Sequence, residues 1–279
     1  MGSEKKTRLV CVDSDGCAMD TMNVKHIRCF GPCLVEEWGL QAWRDEVLRR
    51  WNEVNLYTLT RGINRFKGLA RALKEANERY LPIDGVEEFF RWAEASPELS
   101  ERALQKEIEN RPDERVFQKA LAWSKEVNRR IKALPKEELA AFEKVKAALE
   151  QASKAAKVAV VSSANREAVL EEWERCGLLP FVDEVFAQDR GSKEHCIAEL
   201  LKEGYDQNFV VMCGDALGDM RAAEENGVHY YPILVRKENE SWEEFCKVAL
   251  EKLTRGEFGG EYEENKKREF LENLGGNEQ

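Results

Sequence analysis

No apolar run in this chain approaches the roughly 20 residues that a membrane-spanning helix requires. The opening stretch MGSEKKTR leads into a short apolar segment instead of a signal-peptide core, so a soluble, cytoplasmic protein is expected. No CxxC pair exists among the eight cysteines. Only Cys29 and Cys33 stand at a ligand-like spacing, with no second pair or histidine cluster to complete a zinc site. Several cysteines lie inside apolar runs, as reduced core thiols do, and no disulfide framework is legible. Histidine is scarce: His26, His195 and His229 are scattered, and a surface or core role suits each, with only His26 near the first acidic motif. Positive charge is short as well. Lys and Arg number 43 against 53 Asp and Glu, net −10, a field that repels nucleic acid and anionic membrane surfaces and obliges any anionic ligand to find a local positive site. Internal repeats and low-complexity segments are missing too.

What the chain does have is a set of short, continuously apolar runs at residues 9–12, 158–161 and 209–213, each ending in small or acidic residues. Such runs fit strands buried on both faces of a parallel sheet. Residues 184–187 and 230–235 are weaker candidates, which makes five strands. Between the later strands lie helical patterns at 166–176, 192–203, 217–226 and 241–253, each stopping near a glycine, with Ser192 and Ser241 placed as N-caps. Strand and helix alternating in this way predict an α/β fold, a Rossmann-like, doubly wound parallel sheet with right-handed crossovers.

Residues 21–153 read differently, as helix after helix. Val116, Ala120, Trp123 and Val127 share one helical face, as do Leu139, Phe142, Val145 and Leu149, and Trp38, Trp43, Trp51, Trp92 and Trp123 crowd into the same region. The simplest organisation is an all-α insertion at 21–153 between two parts of one sheet domain, 1–20 and 154–279. The closing stretch EYEENKKREFLENLGGNEQ reads as a docked helix with a frayed end.

Acids stand where the strands stop. Asp13 and Asp15 follow the first strand, and alternate residues of an extended segment point the same way, so both carboxylates address one small volume. Ligands of open α/β sheets bind at that edge. Like charges so close repel, and a hard dication with oxygen ligands relieves them at least cost. Ser162 ends the second strand with a hydroxyl beside helix-start amides, suited to an anionic oxygen. Asp215 and Asp219 follow the strand at 209–213, and Lys193 stands at the start of the Ser192 helix, where it can point back at the crevice.

Together VDSDGCAMD, VVSSAN, the lysine of GSKEH and GDALGDM resemble, in order and setting, the four motifs of the haloacid dehalogenase (HAD) superfamily of phosphatases. The resemblance covers about half of the chain, at its two ends, and it implies that the helical insertion is the family's cap, here longer than usual. It further implies that Asp13 is the nucleophile and Asp15 the general acid and base. Mg²⁺ would be held by Asp13, the main-chain carbonyl of Asp15, Asp215 and Asp219, the last as ligand or supporting partner. Ser162 and Lys193 would bind the transferring phosphoryl group. Cys17 stands where threonine is commoner in the family, which puts a side-chain hydrogen bond in question but not the turn.

The expected reaction is Mg²⁺-dependent hydrolysis of a small phosphorylated metabolite, with no nucleic-acid or membrane partner. In the cap, YTLTRGINRFKGL gathers Arg61, Asn64, Arg65 and Lys67 around a glycine between helical segments at 38–55 and 63–80. Arg61, Asn64 and Arg65 are candidates to read a second anionic or hydroxylated group on the substrate; a solvated helix start is the plainer alternative. Asp20, Ser163 and Asn165 read as helix-capping residues. A sugar-phosphate mutase or a phosphonate hydrolase on the same core, and a non-catalytic binding protein using the cap as a partner surface, stay open as alternatives. A dehalogenase has no use for Asp15 or the metal.

Overall fold

Leu9 to Val12 offer no polar side chain to either face, and they form β1 (Leu9–Val12), the fully buried centre of a five-stranded sheet. The computed structural model describes residues 7–275; most of the MGSEKKTR stretch and the end expected to fray lie outside them. After β1 the chain runs through α1 (Met22–Lys25), α2 (Gly31–Glu37), α3 (Arg44–Leu56), α4 (Arg65–Arg79), α5 (Val86–Ala95), α6 (Glu101–Asn110) and α7 (Arg115–Lys132), then α8 (Val145–Ala155). The sheet resumes with β2 (Lys157–Val161), α9 (Arg166–Arg175), β3 (Glu184–Phe186), α10 (Lys193–Leu201), β4 (Val210–Gly214), α11 (Leu217–Glu225) and β5 (His229–Pro232). It closes with α12 (Glu238–Glu244), α13 (Leu250–Arg255) and α14 (Glu261–Asn273).

All strand pairs are parallel, in the order β3-β2-β1-β4-β5. The fold is α/β, and the three continuously apolar runs and both weaker candidates form its five strands. From β1 the chain first builds outward on one side, through β2 to β3, and then returns to build β4 and β5 on the other. Strand order therefore reverses between β1 and β4, and the carboxyl ends of these two strands border the crevice where such sheets bind ligands.

Contacts divide the chain into two compact units, 1–22 with 136–279 and 23–135. The sequence reading placed the boundaries at 20 and 153. The difference lies in α8, whose Val145, Ala148, Leu149 and Ala152 are buried in one cluster with Val10, Val12, Val158 and Val160 of the sheet. A helix joins the unit that buries its apolar stripe, whatever its neighbours in sequence. Leu139 and Phe142 precede α8 instead of sharing its face: Phe142 N donates to Ala18 O at 3.1 Å and Asp20 N to Ala140 O at 2.9 Å, so this segment pairs with the loop after β1.

Other boundaries shift for local reasons. Gly39, at φ +70°, turns the chain after α2, so the helix expected over 38–55 starts only at Arg44; the conformation costs glycine nothing. Ser241 is no N-cap; it lies inside α12, where its hydroxyl donates to Lys237 O and accepts from Leu234 N. Ser192 does cap α10, accepting from His195 N at 3.3 Å, and Asn165 caps α9 through Glu167 N and Ala168 N.

The helical unit has its own core, in which Val116, Ala120, Trp123 and Val127 of α7 lie with Phe30, Trp51, Phe66, Leu69 and Trp92. Trp123 Nε1 donates to Phe30 O at 3.2 Å, which satisfies the one polar atom of the most deeply buried indole there. All eight cysteines are free, and burial pushes the Cys33 thiol up to about 11. No helix among the described residues is long and apolar enough to cross a membrane.

Candidate active site

The register of the sheet brings the acids together. Val12 pairs with Val160 on one side and with Cys213 on the other, so Asp13, Ser162 and Asp215 emerge from three adjacent strands at one edge. Asp13 N still follows the ladder, donating to Cys213 O at 3.0 Å. Carboxylate oxygens of Asp13, Asp215 and Asp219 lie within 4.8 Å of one another, and all three residues are buried. Acids separated by some 200 residues thus share one volume of a few ångströms.

Asp219 reaches this cluster from the first turn of α11. Its Oδ2 accepts from Ala216 N at 3.1 Å, capping the helix it stands on, while Oδ1 faces Lys193 Nζ at 2.5 Å. It packs directly on Gly214: a Cβ added there would sit 2.2 Å from Asp219 Cγ and 2.4 Å from Oδ2. Only glycine allows this close approach, a role not recognised in the sequence although the residue stands inside CGDALGDM.

Lys193, from the start of α10, is the cation of the site, with Nζ 2.9 Å from Asp13 Oδ1 and 2.5 Å from Asp219 Oδ1. Burial works against its charge, but the two carboxylates outweigh burial and hold the ammonium above the ordinary lysine range. For Asp13 burial wins in the other direction. Desolvation, aided by the charge of Asp219 and opposed by Lys193, raises its carboxyl to about 7. Asp219 is raised as well, first by burial and then, against the pull of Lys193, by Asp215.

Three buried carboxylates gather in one small volume, two of them against the Lys193 ammonium. A donor set made wholly of oxygens suits a hard divalent cation, so the residues fit the Mg²⁺ that the resemblance implies.

Asp15 takes a separate position. Gly16 turns the chain at φ +84°, and Gly16 N donates to Met19 O at 2.8 Å. The half-buried Asp15 carboxylate accepts a hydrogen bond at Oδ1 from the Thr21 hydroxyl, and its side chain is not part of the three-acid cluster. Thr21, buried six residues on, was not singled out in the sequence; a hydroxyl that near a candidate acid was the available signal. Cys17 Sγ donates weakly to Cys213 O at 3.4 Å, and burial, with nearby Asp13, keeps it a thiol. The departure from threonine therefore leaves a weaker hydrogen bond on the neighbouring strand.

Ser162 is buried at the end of β2. Its main-chain N–H donates to Phe186 O at 2.9 Å, and its hydroxyl accepts from Ala164 N at 3.2 Å.

The three residues proposed from the insertion are engaged inside the helical unit. Arg61 is buried, and its Nη1 donates to Leu56 O at 2.8 Å. Asn64 caps α4 by accepting from Phe66 N at 2.9 Å and donates to Leu99 O. Arg65 Nη1 donates to Ser124 Oγ and Asn128 Oδ1 at 3.1 and 2.8 Å, and its guanidinium lies 5.1 Å from the Phe30 ring centroid. Lys67 pairs with Glu94 at 3.5 Å. These contacts tie segments of the helical unit to one another.

A family model described as haloacid dehalogenase-like hydrolase matches residues 86–233. The matched span holds Ser162, Lys193, Asp215 and Asp219 but not Asp13 or Asp15, which the sheet register brings to the same edge. A search of curated proteins found no match. Similar solved structures include a haloacid dehalogenase-like hydrolase from Streptococcus pneumoniae, 14% identical with a TM-score of 0.49, the match covering 81% of this chain and 83% of that one. A haloacid dehalogenase-like hydrolase from Xanthomonas campestris is 15% identical over 90% of this chain and 94% of that one, TM-score 0.47. An L-2-haloacid dehalogenase from Xanthobacter autotrophicus is 13% identical over 89% and 86%, TM-score 0.41.

Proposed function

This chain belongs to the family of haloacid dehalogenase-like hydrolases, and from that premise we propose that it is a Mg²⁺-dependent phosphatase acting on a small phosphorylated metabolite through an aspartyl-phosphate. The observation that supports this reading above others is the convergence of Asp13, Asp215 and Asp219 on one buried volume, with Lys193 against two of them. A hydrolase that displaced halide from carbon would gain nothing from a buried triad of acids beside an ammonium.

Asp13, Asp215 and Asp219 are the side chains that would hold Mg²⁺, with the main-chain carbonyl of Asp15. Bound there, the ion would neutralise phosphate oxygens and keep Asp13 ionised at neutral pH. Asp13 attacks phosphorus and forms a carboxyl–phosphate bond as the ester P–O bond breaks. Asp15 gives its proton to the departing alkoxide oxygen. It then takes a proton from the water that cleaves the aspartyl-phosphate, releasing inorganic phosphate and restoring the Asp13 carboxylate and the protonated Asp15. Lys193 and the Ser162 hydroxyl, with the amides that open α9, bind the oxygens of the transferring group and offset the charge that gathers there.

The helical unit, 23–135, is the cap of this reading. Arg61, Asn64 and Arg65 make hydrogen bonds within it. Eight free thiols suit the reducing cytoplasm in which we place the chain.

Phosphate release from a panel of phosphorylated metabolites, with and without chelator, tests the reading. Turnover that requires Mg²⁺ and vanishes in Asp13→Asn, while the fold persists by circular dichroism, is the expected result. Phosphate that moves on a sugar without appearing in solution would favour a mutase, and no turnover at all a binding protein.

A further inference from the structure

The loop that carries Asp13 and Asp15 is gripped from behind by two indoles. Strand alternation continues past β1: Val10 and Val12 pack in the cluster formed with α8, α9 and α12, whereas Asp13 meets Lys193 of α10. The next residue, Ser14, falls back on the Val12 side and is fully buried. Trp173 of α9 donates its Nε1–H to Ser14 Oγ at 2.9 Å, and Trp242 of α12 donates its Nε1–H to the main-chain oxygen of Cys17 at 2.9 Å. Both indoles are wholly buried, so each N–H depends on that acceptor.

The Ser14 main-chain oxygen meanwhile accepts from Ala18 N at 3.0 Å and Met19 N at 2.8 Å, which ties the turn to the same residue that Trp173 holds. The bonds on either side of Ser14 determine how the Asp15 side chain is offered relative to Asp13. Holding Ser14 by both its hydroxyl and its carbonyl removes the rotation that would move one acid without the other.

We infer that Trp173 is a positioning residue, which acts through Ser14 to present Asp15 as general acid, while Trp242 anchors the far side of the turn. This deepens the phosphatase reading and rests on it. Misplaced, Asp15 would fail to protonate an alkoxide leaving group, whereas p-nitrophenolate departs without a proton. The signature is therefore a loss that depends on the leaving group.

The test uses the full chain with Mg²⁺, comparing glycerol 2-phosphate with p-nitrophenyl phosphate in Trp173→Phe, Ser14→Ala and the double variant. Trp173→Phe keeps a ring in the core and deletes the donor; Ser14→Ala deletes the acceptor and leaves the indole in place, so the test survives if either variant folds poorly. Each single variant is expected to lose at least about tenfold in kcat/KM on glycerol 2-phosphate and no more than about threefold on p-nitrophenyl phosphate, since kcat/KM reads the step in which the leaving group departs and not the hydrolysis of the aspartyl-phosphate common to both esters. The double variant should be no worse than either single one, and Asp15→Asn should reproduce the same selectivity. Equal losses on the two esters, no loss at equal folded fraction, or additive effects in the double variant would overturn the inference while leaving the phosphatase intact. Inactivity of the unaltered chain on both esters would overturn the phosphatase reading and this inference with it.

Discussion

Lys193 Nζ and Asp219 Oδ1 stand 2.5 Å apart across the crevice, one from the start of α10 and the other from the start of α11. The same ammonium touches Asp13 at 2.9 Å, so a single side chain offsets two of the three clustered acids. Removing it strands buried negative charge. Lys193→Ala should cost the metal-free chain about 3 kcal/mol, in the range for breaking a buried ion pair, read as a fall in Tm in chelator. Mg²⁺ should recover part of that loss. Phosphate release should nonetheless stay roughly 10²- to 10³-fold down, the usual consequence of deleting a group that stabilises developing charge.

Asp13 predicts a pH dependence of stability. Its carboxyl is raised from the ordinary 3.8 to about 7, chiefly by burial. The folded chain therefore holds that proton more tightly than the unfolded one. The stabilisation is complete below about pH 4 and is lost as pH rises through about 7. Asp13→Asn should raise the Tm of metal-free protein more at pH 8 than at pH 5. A Tm difference that shrinks towards high pH would contradict the assignment of burial as the dominant cause.

Gly214 predicts a steric lesion. Alanine there brings its Cβ to 2.2 Å from Asp219 Cγ, and Asp219 is held by Lys193 and by Ala216 N, so it cannot step aside cheaply. Gly214→Ala should weaken Mg²⁺ binding on the order of 10- to 100-fold, measured by calorimetry. Unchanged affinity would mean that Asp219 lies outside the ion's reach.

Arg65 distinguishes two roles for the helical unit. Its hydrogen bonds to Ser124 and Asn128 and its stacking on Phe30 tie α4 to α7 and to the segment before α2. Arg65→Met should destabilise the chain by about 1–3 kcal/mol, the cost of stranding buried polar partners, without changing KM for the substrate found in the screen. A raised KM at full folding would return Arg65 to the substrate.

The positions of β1, β2 and β4 were legible because each holds a run of four or five apolar residues bounded by turn formers, while β3 and β5 were weaker signals and the strand order came from the tertiary structure. The acids were legible because Asp13, Asp15, Asp215 and Asp219 stand directly after two of those runs. Helix ends were legible where a capping side chain did the work, as at Ser192, and misread at Ser241, whose hydroxyl serves a different turn.

Sequence alone determined which chemical groups reach the crevice edge, since strand period and buried apolarity act over a few neighbouring residues. Tertiary structure decided which groups meet: Lys193 with Asp219, Thr21 with Asp15, Trp173 with Ser14 across 159 positions, and Arg61 and Arg65 with partners in their own unit. It also drew α8 to the sheet. A donor buried by packing must take the acceptor that packing leaves within about 3 Å, and local pattern carries no record of that distance.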